Sequence, residues 1–168
     1  MGKTTAVRYL ACHFGVPQLG SDTLKRAIKA SPASHNADAG WLTFDLLFAL
    51  ADDFLQQGSS VFLDLNLGKP FHWSFLDSMR EKYPGVQVLP VLLRCSREIC
   101  LARIRARHAV DPSYDPPELY LRDAGLLAVW DFLEELDRPD AYFVDASLSP
   151  EQAQADITTY LTRALASV

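Results

Sequence analysis

The sequence predicts an α/β domain with a mainly parallel sheet, and three observations support this fold class. Segments with helical apolar spacing alternate with short β-prone runs along the 168 residues, which is the order typical of parallel strands joined by helices. The β-prone run Ser60–Asn66 has an unbroken apolar start at Val61-Phe62-Leu63, which suits a parallel strand covered on both faces. The 49% hydrophobic content suits one compact domain with a substantial core.

The first half of the chain alternates helices with short extended segments. Apolar residues at helical spacing, followed by Gly15, predict the first helix, and Pro17 favours extended backbone just before it. Ser21 or Asp22 is the expected N-cap of the second helix. The predicted elements are a helix over Thr4–Phe14, an extended segment over Val16–Leu19, a helix through Ile28, a loop over Ser31–Asp38 that could cover a substrate, a well-buried helix over Gly40–Gln57 and a strand over Ser60–Asn66.

The second half continues this alternation. Pro84-Gly85 ends a helix, Ser96 is an expected N-cap, and Pro150 begins the last helix. Pro90 lies inside an otherwise clear strand and requires an edge position or an irregularity there. The predicted elements are a helix over Phe71–Tyr83, a strand over Val86–Cys95, a basic helix over Arg97–Arg107, a break over Asp111–Pro117, helical pattern over Glu118–Leu136 in two pieces around Gly125, a strand over Ala141–Ala146 and a helix from Ser149.

Composition argues against several classes of partner. The net charge of -5 disfavours broad electrostatic binding to nucleic acid or to an anionic membrane, although a local groove for a polynucleotide stays open. No apolar run approaches the roughly 20 residues that span a bilayer, and no signal peptide begins the chain. We therefore expect a cytoplasmic protein without a membrane partner.

The three cysteines, Cys12, Cys95 and Cys100, form no metal-type doublet. Together with His108, the last two could collect a zinc ion. We expect instead that all three are small buried residues in a reducing compartment.

The chain begins with a motif that indicates phosphate binding. Gly2-Lys3-Thr4 matches the last three positions of the loop G-x-x-x-x-G-K-[ST], in which backbone amides surround phosphates, the Lys reaches the β- and γ-phosphates and the hydroxyl ligates Mg²⁺. The following helix would direct its positive end at the anion. Ligands of parallel sheets bind at the carboxyl ends of strands, where this chain has Asp22, Asp64, Asn66, Arg94 and Asp145.

Four motifs in order resemble the small phosphate-loop kinases that include polynucleotide kinase, chloramphenicol phosphotransferase and zeta-toxin-like enzymes. The resemblance covers nearly the whole chain and implies a P-loop NTPase three-layer sandwich in a single domain over residues 1–168, with a lid at about 97–117. The motifs are Gly2-Lys3-Thr4-Thr5, Ser21-Asp22-x-x-Lys25-Arg26, the strand that ends in Asp64-x-Asn66, and Arg103-x-x-x-Arg107.

The resemblance implies ATP and Mg²⁺ as cofactors. Gly2 would belong to the phosphate loop, Lys3 would hold the β/γ-phosphate oxygens, and Thr5 would contact the α-phosphate. Thr4 and Asp64 would hold the magnesium ion, Asp64 partly through water. An acid at a strand end can also simply cap the following turn, so both interpretations of Asp64 stay open.

For the acceptor side, the resemblance implies that Asp22 orients or deprotonates a hydroxyl, with Lys25 and Asn66 beside it. A plain helix N-cap is the alternative for Asp22, and a solvated helix face is the alternative for Lys25.

Arg103 and Arg107 are four residues apart, so they share one helix face and could close on the ATP phosphates. The alternative is an ordinary basic face paired with neighbouring acids. Asp145-Ala146-Ser147 resembles the segment that lines the adenine pocket of such kinases, which implies a nucleotide-binding role for Asp145.

The front of the phosphate loop is the main departure from the family. There the loop follows a hydrophobic strand at the centre of the sheet, between the strands near Val61 and Val86, and no such strand is written here. Either the sequence starts late, or a shortened homologue has lost nucleotide binding. With the strand and the first loop residues absent, we expect impaired activity.

The leading hypothesis is an ATP- and Mg²⁺-dependent phosphotransferase that moves the γ-phosphoryl group to a hydroxyl of a small acceptor. The alternative is a non-catalytic binding or regulatory remnant of the same fold. A GTPase switch is disfavoured, because no second nucleotide-recognition motif such as N-K-x-D is present. The identity of the acceptor and the oligomeric state are not readable from the sequence.

Overall fold

The computed structural model describes residues 2–32, 38–112 and 116–166. Within them the predicted alternation of helices and strands is confirmed. The elements are α1 (Lys3–Phe14), β1 (Gln18–Gly20), α2 (Ser21–Ala30), α3 (Ala39–Gln56), β2 (Phe62–Asp64), α4 (Pro70–Lys82), β3 (Val91–Arg94), α5 (Arg97–Val110), α6 (Pro117–Arg122), α7 (Ala124–Glu135), β4 (Tyr142–Asp145) and α8 (Pro150–Ala166).

The described strands form two parallel pairs, as the fold class predicts. In the pair β1–β2 Gly20 lies opposite Asp64, and in the pair β3–β4 Arg94 lies opposite Asp145. Each pair belongs to its own compact unit. The first unit is Lys3–Asn66 with Ser74–Val88, and the second unit is the described part of Met1–Gly2, Leu67–Trp73 and Leu89–Val168.

The first unit buries one narrow face of each of its main helices. Helix α1 buries Ala6 and Leu10, and α3 buries Thr43, Leu47 and Ala51. The prediction that the apolar helix α3 is well buried is wrong. A spacing of four residues places only one stripe against the core, and three large apolar side chains on other faces stay exposed; they are Trp41, Leu46 and Leu50.

Residues Ser74–Val88 join the first unit through contacts with α3. Asp52 accepts hydrogen bonds from the Lys82 ammonium at 2.7 Å and from the Tyr83 hydroxyl at 2.8 Å. One turn earlier, the rings of Phe48 and Phe75 stack with their centroids 3.8 Å apart. The unit is therefore assembled from two separate stretches of the chain.

The second unit builds its core from β3, β4, α5 and α8. Val144 and Ile157 are 1% exposed and Ile104 is 2% exposed. His72 lies fully buried in the same unit, and burial, with a smaller contribution from the charge of Lys69, lowers the pKa of its imidazole to about 4. The side chain is therefore neutral at physiological pH.

Two predicted boundaries are wrong for physical reasons. Strand β3 begins only after Pro90, whose ring nitrogen has no hydrogen to donate, although its carbonyl accepts from the Tyr142 amide at 2.9 Å. The N-cap of α2 is Gly20 rather than Ser21 or Asp22. The helical pattern after residue 117 is in two pieces, as predicted, and the break lies at Asp123, whose carboxylate caps α7 by accepting from the Leu126 amide.

Two predicted irregular segments lie partly outside the described residues. The predicted loop over Ser31–Asp38 is described only at Ser31, Pro32 and Asp38, and Asp38 is the N-cap of α3. The predicted break over Asp111–Pro117 is described except for 113–115. The substrate-covering role of the first loop, the lid and the single-domain organisation stay predictions.

Candidate functional site

The first unit brings Lys3, Thr4 and Asp64 together. The Thr4 hydroxyl donates to Asp64 Oδ2 at 2.6 Å, and the Lys3 ammonium lies 3.6 Å from Asp64 Oδ1. The Asp64 side chain is 7% exposed, whereas that of Lys3 is 34% exposed. A buried carboxylate is thus held by a hydroxyl 60 residues away along the chain and by the ammonium of the residue before it.

Local structure explains why these groups meet. Helix α1 begins at Lys3, directly after Gly2, whose φ of 74° lies in the left-handed region that favours glycine. Its first-turn amides lack partners within the helix, and its dipole directs positive charge at the same end. Asp64 is the last residue of β2, so its carboxylate lies at the carboxyl end of a parallel strand. Both features are typical of an anion and cation site.

The Asp64 carboxylate fits a bound cation. Its Oδ1 is buried, and among the described residues no donor lies within hydrogen-bonding distance of it. Mg²⁺ prefers oxygen ligands and in proteins takes one or two carboxylates, with waters or phosphates for the rest. The described residues form no cluster of three or more His, Cys, Asp or Glu side chains, so the zinc alternative at Cys95, Cys100 and His108 has no support there.

Ser21 connects the carbonyl of Asp64 to the start of α2. Its hydroxyl donates to the backbone oxygen of Asp64 at 3.0 Å. Gly20, the residue before it, pairs with Asp64 across the two strands. The Ser21 hydroxyl is therefore hydrogen-bonded to β2 and does not cap α2. Both predicted N-caps, Ser21 and Asp22, are wrong.

Asp22 lies in the first turn of α2 with an exposed side chain. An acid in that turn interacts favourably with the helix dipole, whatever else it does. Lys25, one turn further along α2, and Asn66, two residues beyond β2, are also exposed, as is Thr5 in the first turn of α1. The structure records no contact of Asp22, Lys25 or Thr5 with the Asp64 carboxylate among the described residues, so their roles stay predictions.

Arg103 belongs to the second unit, where its guanidinium donates to the backbone oxygen of Ala146 at 2.5 Å. This bond ties α5 to the segment just after β4. Arg107, one turn later, is exposed. On the same helix, Arg97 pairs with acids of α7, because its guanidinium contacts Glu134 at 2.7 Å and Asp131 at 2.5 Å.

Two strand-end residues of the second unit serve local structure. Arg94 donates to the backbone oxygens of Leu133 and Leu136 at the end of α7, and its guanidinium lies 3.7 Å from the ring centroid of Phe143. Asp145 accepts from the Ser147 amide at 2.8 Å, and hydrogen bonds from Ser147 lower the pKa of its carboxyl. A positively charged group near the last carbonyls of a helix is favourable.

The sequence did not indicate a pocket that lies within the second unit. It has a volume of about 380 Å³ and a mostly apolar lining made by Gly68, Lys69, Pro70, Gly125, Ala128, Val129 and Phe132. None of these seven is a predicted site residue. Gly68 lies so close to Val129 that a Cβ there would be 2.4 Å from Val129 Cγ1, an approach that only glycine permits and that no local sequence pattern shows.

Comparisons with known proteins identify the family. A protein-family model described as an AAA domain matches residues 1–123. The chain belongs to the AAA domain family. A search of curated proteins found no significant match by sequence.

Two solved structures establish the fold of this AAA domain. One, described as "a putative kinase" from Chloroflexus aurantiacus J-10-fl, shares 18% identity with a TM-score of 0.63, and the match covers 96% of this chain and 90% of the other. The second, a gluconokinase from Sinorhizobium meliloti 1021, shares 19% identity with a TM-score of 0.55, and the match covers 96% and 89%. The P-loop NTPase fold and the resemblance to small phosphate-loop kinases are thereby confirmed.

None of the described helices combines the length and the apolar composition that a bilayer crossing requires.

Proposed function

We propose that this AAA domain is a phosphotransferase that uses ATP and Mg²⁺ to phosphorylate a hydroxyl of a small acceptor. The observation that carries the proposal is the Thr4–Asp64–Lys3 cluster, with a hydrogen bond of 2.6 Å and an ion-pair distance of 3.6 Å. It lies where a helix begins and a parallel strand ends, which is where phosphates bind in α/β proteins. Membership of the AAA domain family supports nucleotide use in general.

The cluster divides the phosphate chemistry among three side chains. Lys3 would be the cation that binds the β- and γ-phosphate oxygens. Gly2 and the first-turn amides of α1, among them that of Thr5, would bind the same anion. Thr4 and Asp64 supply the oxygen atoms that would hold Mg²⁺. When bound, the ion neutralises phosphate charge that builds up during transfer.

Asp22 is proposed as the group that orients and deprotonates the acceptor hydroxyl. Two facts support it: the side chain is exposed to solvent, and the N-cap role that would otherwise explain it belongs to Gly20. Ser21, its neighbour, donates to the backbone of Asp64, so the start of α2 is fixed relative to the cluster. Lys25 and Asn66 are proposed to contact the acceptor.

Arg103 and Arg107 on α5 are proposed to contact the transferred phosphoryl group, and Asp145 the nucleotide. Support for Arg103 comes from its bond to the Ala146 carbonyl, which uses one of the five N–H donors of a guanidinium and leaves the group with donor capacity. Asp145 is the weakest of these assignments, because its carboxylate already accepts from Ser147.

We propose a small polyhydroxylated acid as the acceptor class, and the name of one structural neighbour supports this choice. The gluconokinase of known structure shares the fold over 96% of this chain. An acid of this kind needs a cation beside it, and α2 carries Lys25 and Arg26 on exposed positions.

The test is MgATP binding by calorimetry with Lys3→Gln. We expect the affinity to fall about tenfold to a hundredfold, since a hydrogen bond to a charged group contributes about 1.5–3 kcal/mol. Lys29→Ala, which removes an exposed cation at the end of α2, is the matched control and should bind as the parent does.

Two outcomes would count against the proposal. Equal affinity of Lys3→Gln and the parent would remove the cluster from nucleotide binding. Binding of MgATP without phosphate transfer to any polyol acid or sugar acceptor would favour the non-catalytic alternative.

A further inference from the structure

Two cysteines of the second unit lie in contact at the start of α5. Cys95 follows directly after β3, and Cys100 lies in the first turn of α5. Their sulfur atoms are 3.2 Å apart, although both thiols are free. The contact is shorter than an ordinary separation of two non-bonded sulfur atoms and needs to close by only about 1 Å to reach the roughly 2.05 Å of a disulfide.

The local fold keeps the two thiols at this distance. Ser96, between them, caps α5 by accepting from the Ile99 amide at 3.3 Å, and the Cys100 amide donates to the Ser96 carbonyl at 3.0 Å. Cys95 is held from the other side, since Arg94 pairs with Asp145 across the sheet. The sulfur atoms are therefore brought together by backbone that is fixed at both ends.

We propose that Cys95 and Cys100 are a modification site, a dithiol that a hydroperoxide oxidises to an intrachain disulfide. The assignment is independent of the proposed phosphotransfer, because it uses neither the Asp64 cluster nor bound nucleotide.

The chemistry proceeds in two balanced steps. Cys95 sulfur attacks the peroxide, the O–O bond breaks, and Cys95 becomes a sulfenic acid while the peroxide leaves as an alcohol or as water. Cys100 sulfur then attacks the Cys95 sulfur, the S–O bond breaks, and the released hydroxide takes the Cys100 proton to form water. Two thiols and one hydroperoxide thus yield one disulfide, one alcohol or water, and one water.

Exposure sets the order of the two cysteines. Cys95 is half-buried, whereas Cys100 is buried, and burial followed by the contact with Cys95 raises the pKa of the Cys100 thiol to about 11. The thiolate is the reactive form of cysteine, so Cys100 is the poorer first nucleophile. The zinc alternative for the same pair fails for want of a third ligand among the described residues.

The disulfide would change α5 where it begins. It would join the residue before the N-cap to the first helical turn, and Arg103 lies one turn beyond Cys100 on the same face. We expect oxidation to increase the protection of the first-turn amides of α5 against hydrogen exchange.

The test uses Cys12→Ser, which removes the exposed thiol of the first unit and leaves the pair as the remaining cysteines. After treatment with hydrogen peroxide, we expect the two free thiols to fall to none, and the intact chain to lose the mass of two hydrogen atoms while it stays monomeric. Dithiothreitol should restore both thiols. In the parent chain the thiol count should fall from three to one if intermolecular pairing through Cys12 is blocked by dilution.

Two further variants fix the order. With Cys12→Ser/Cys100→Ser, dimedone should trap a sulfenic acid on Cys95, at least about tenfold faster than on Cys100 in Cys12→Ser/Cys95→Ser. Retention of both thiols in Cys12→Ser after the peroxide treatment would overturn the proposal. So would a gain of oxygen that dithiothreitol does not reverse, or a disulfide found only between chains.

Discussion

Asp64 and Asp145 occupy equivalent places in the two units and are used in different ways. Each is the last residue of a strand in a parallel pair, opposite Gly20 and Arg94 respectively. Asp64 is 6% exposed and is held by Thr4 and Lys3 from the start of α1. Asp145 is exposed and accepts from Ser147, two residues further along the same turn.

The contrast shows that the role of an acid at a strand end depends on how far away in the sequence its hydrogen-bond partners lie. Asp145 satisfies its own turn, as acids commonly do after a strand. Asp64 is satisfied from 60 residues away, and one of its oxygens is left with an ammonium at 3.6 Å instead of a hydrogen bond. A buried carboxylate supported in this way is costly unless something charged binds it.

The largest expected effect on activity comes from neutralising the carboxylate of Asp64, in comparison with that of Asp145. Asp64→Asn should lower kcat/KM for phosphotransfer about 10²–10³-fold, the loss typical of a preorganised electrostatic group. Asp145→Asn should lower it by no more than about tenfold, because its carboxylate is occupied by Ser147. Asp45→Asn, an exposed acid on α3, controls for net charge. Equal losses for Asp64→Asn and Asp145→Asn would remove the distinction between the two strand ends.

The partner hydroxyl gives the next largest effect. Thr4→Ala should reduce kcat/KM about tenfold to a hundredfold, whereas Thr4→Ser, which keeps the donor to Asp64, should stay close to the parent. Ser147→Ala keeps the backbone amide that Asp145 uses, so we expect a much smaller change. If Thr4→Ser is as impaired as Thr4→Ala, the hydroxyl is not what matters.

The buried imidazole of His72 provides a test with a basic side chain, to set beside the buried acid Asp64. Its pKa is about 4 when folded and 6.5 as the ordinary value, so between these pH values the unfolded chain binds more protons. The contribution of His72 to the free energy of unfolding is therefore fully present above about pH 6.5. It is lost as the pH decreases towards about 4. We expect a loss of about 2 kcal/mol between about pH 7 and about pH 5.

The measurement is urea unfolding across that range, with His72→Phe as the matched variant. The variant removes the titrating group, so its unfolding free energy should lose this part of the pH dependence even if its absolute stability differs. Parallel curves for parent and variant would show that other groups cause the loss.

The smallest expected effect tests packing near the pocket of the second unit. Gly68→Ala places a methyl group 2.4 Å from Val129 Cγ1 and should destabilise the fold by about 1 kcal/mol. Val129→Ala removes that atom, so the double variant should recover part of the loss in a double-mutant cycle. If the two substitutions change the free energy of unfolding additively, the crowding caused by Gly68→Ala is relieved by a movement that does not involve Val129.

Much of the fold follows from local sequence. Helical spacing, Pro150 and the cap at Ser96 each act within a few residues. The limited burial of α3 does not follow from local sequence. The apolar composition of a helix gives the apolar surface that it presents, and not the number of residues that cover this surface. Strand β3 was predicted too long because the run before Pro90 is β-prone, although the ladder starts only after it.

The candidate site divides in the same way. The motifs single out Lys3, Thr4 and Asp64, and the structure places them together, while their roles stay predictions. Ser21 appeared as a possible cap, and its bond to the Asp64 carbonyl depends on the β1–β2 register, which no local pattern specifies. The contact between Cys95 and Cys100 could not be predicted from the sequence for a similar reason, since it depends on the backbone path from β3 into α5.

The three contacts between α3 and Ser74–Val88 also constrain when the first unit can fold during synthesis. Asp52 finds Lys82 and Tyr83, and Phe48 finds Phe75, only after about thirty further residues have been added. A nascent chain that ends at Asn66 already contains Lys3, Thr4 and Asp64 but lacks these later partners. The ribosome must therefore pass Val88 before the unit that carries the cluster can complete its folding, and a fragment cut at Asn66 would not reproduce it.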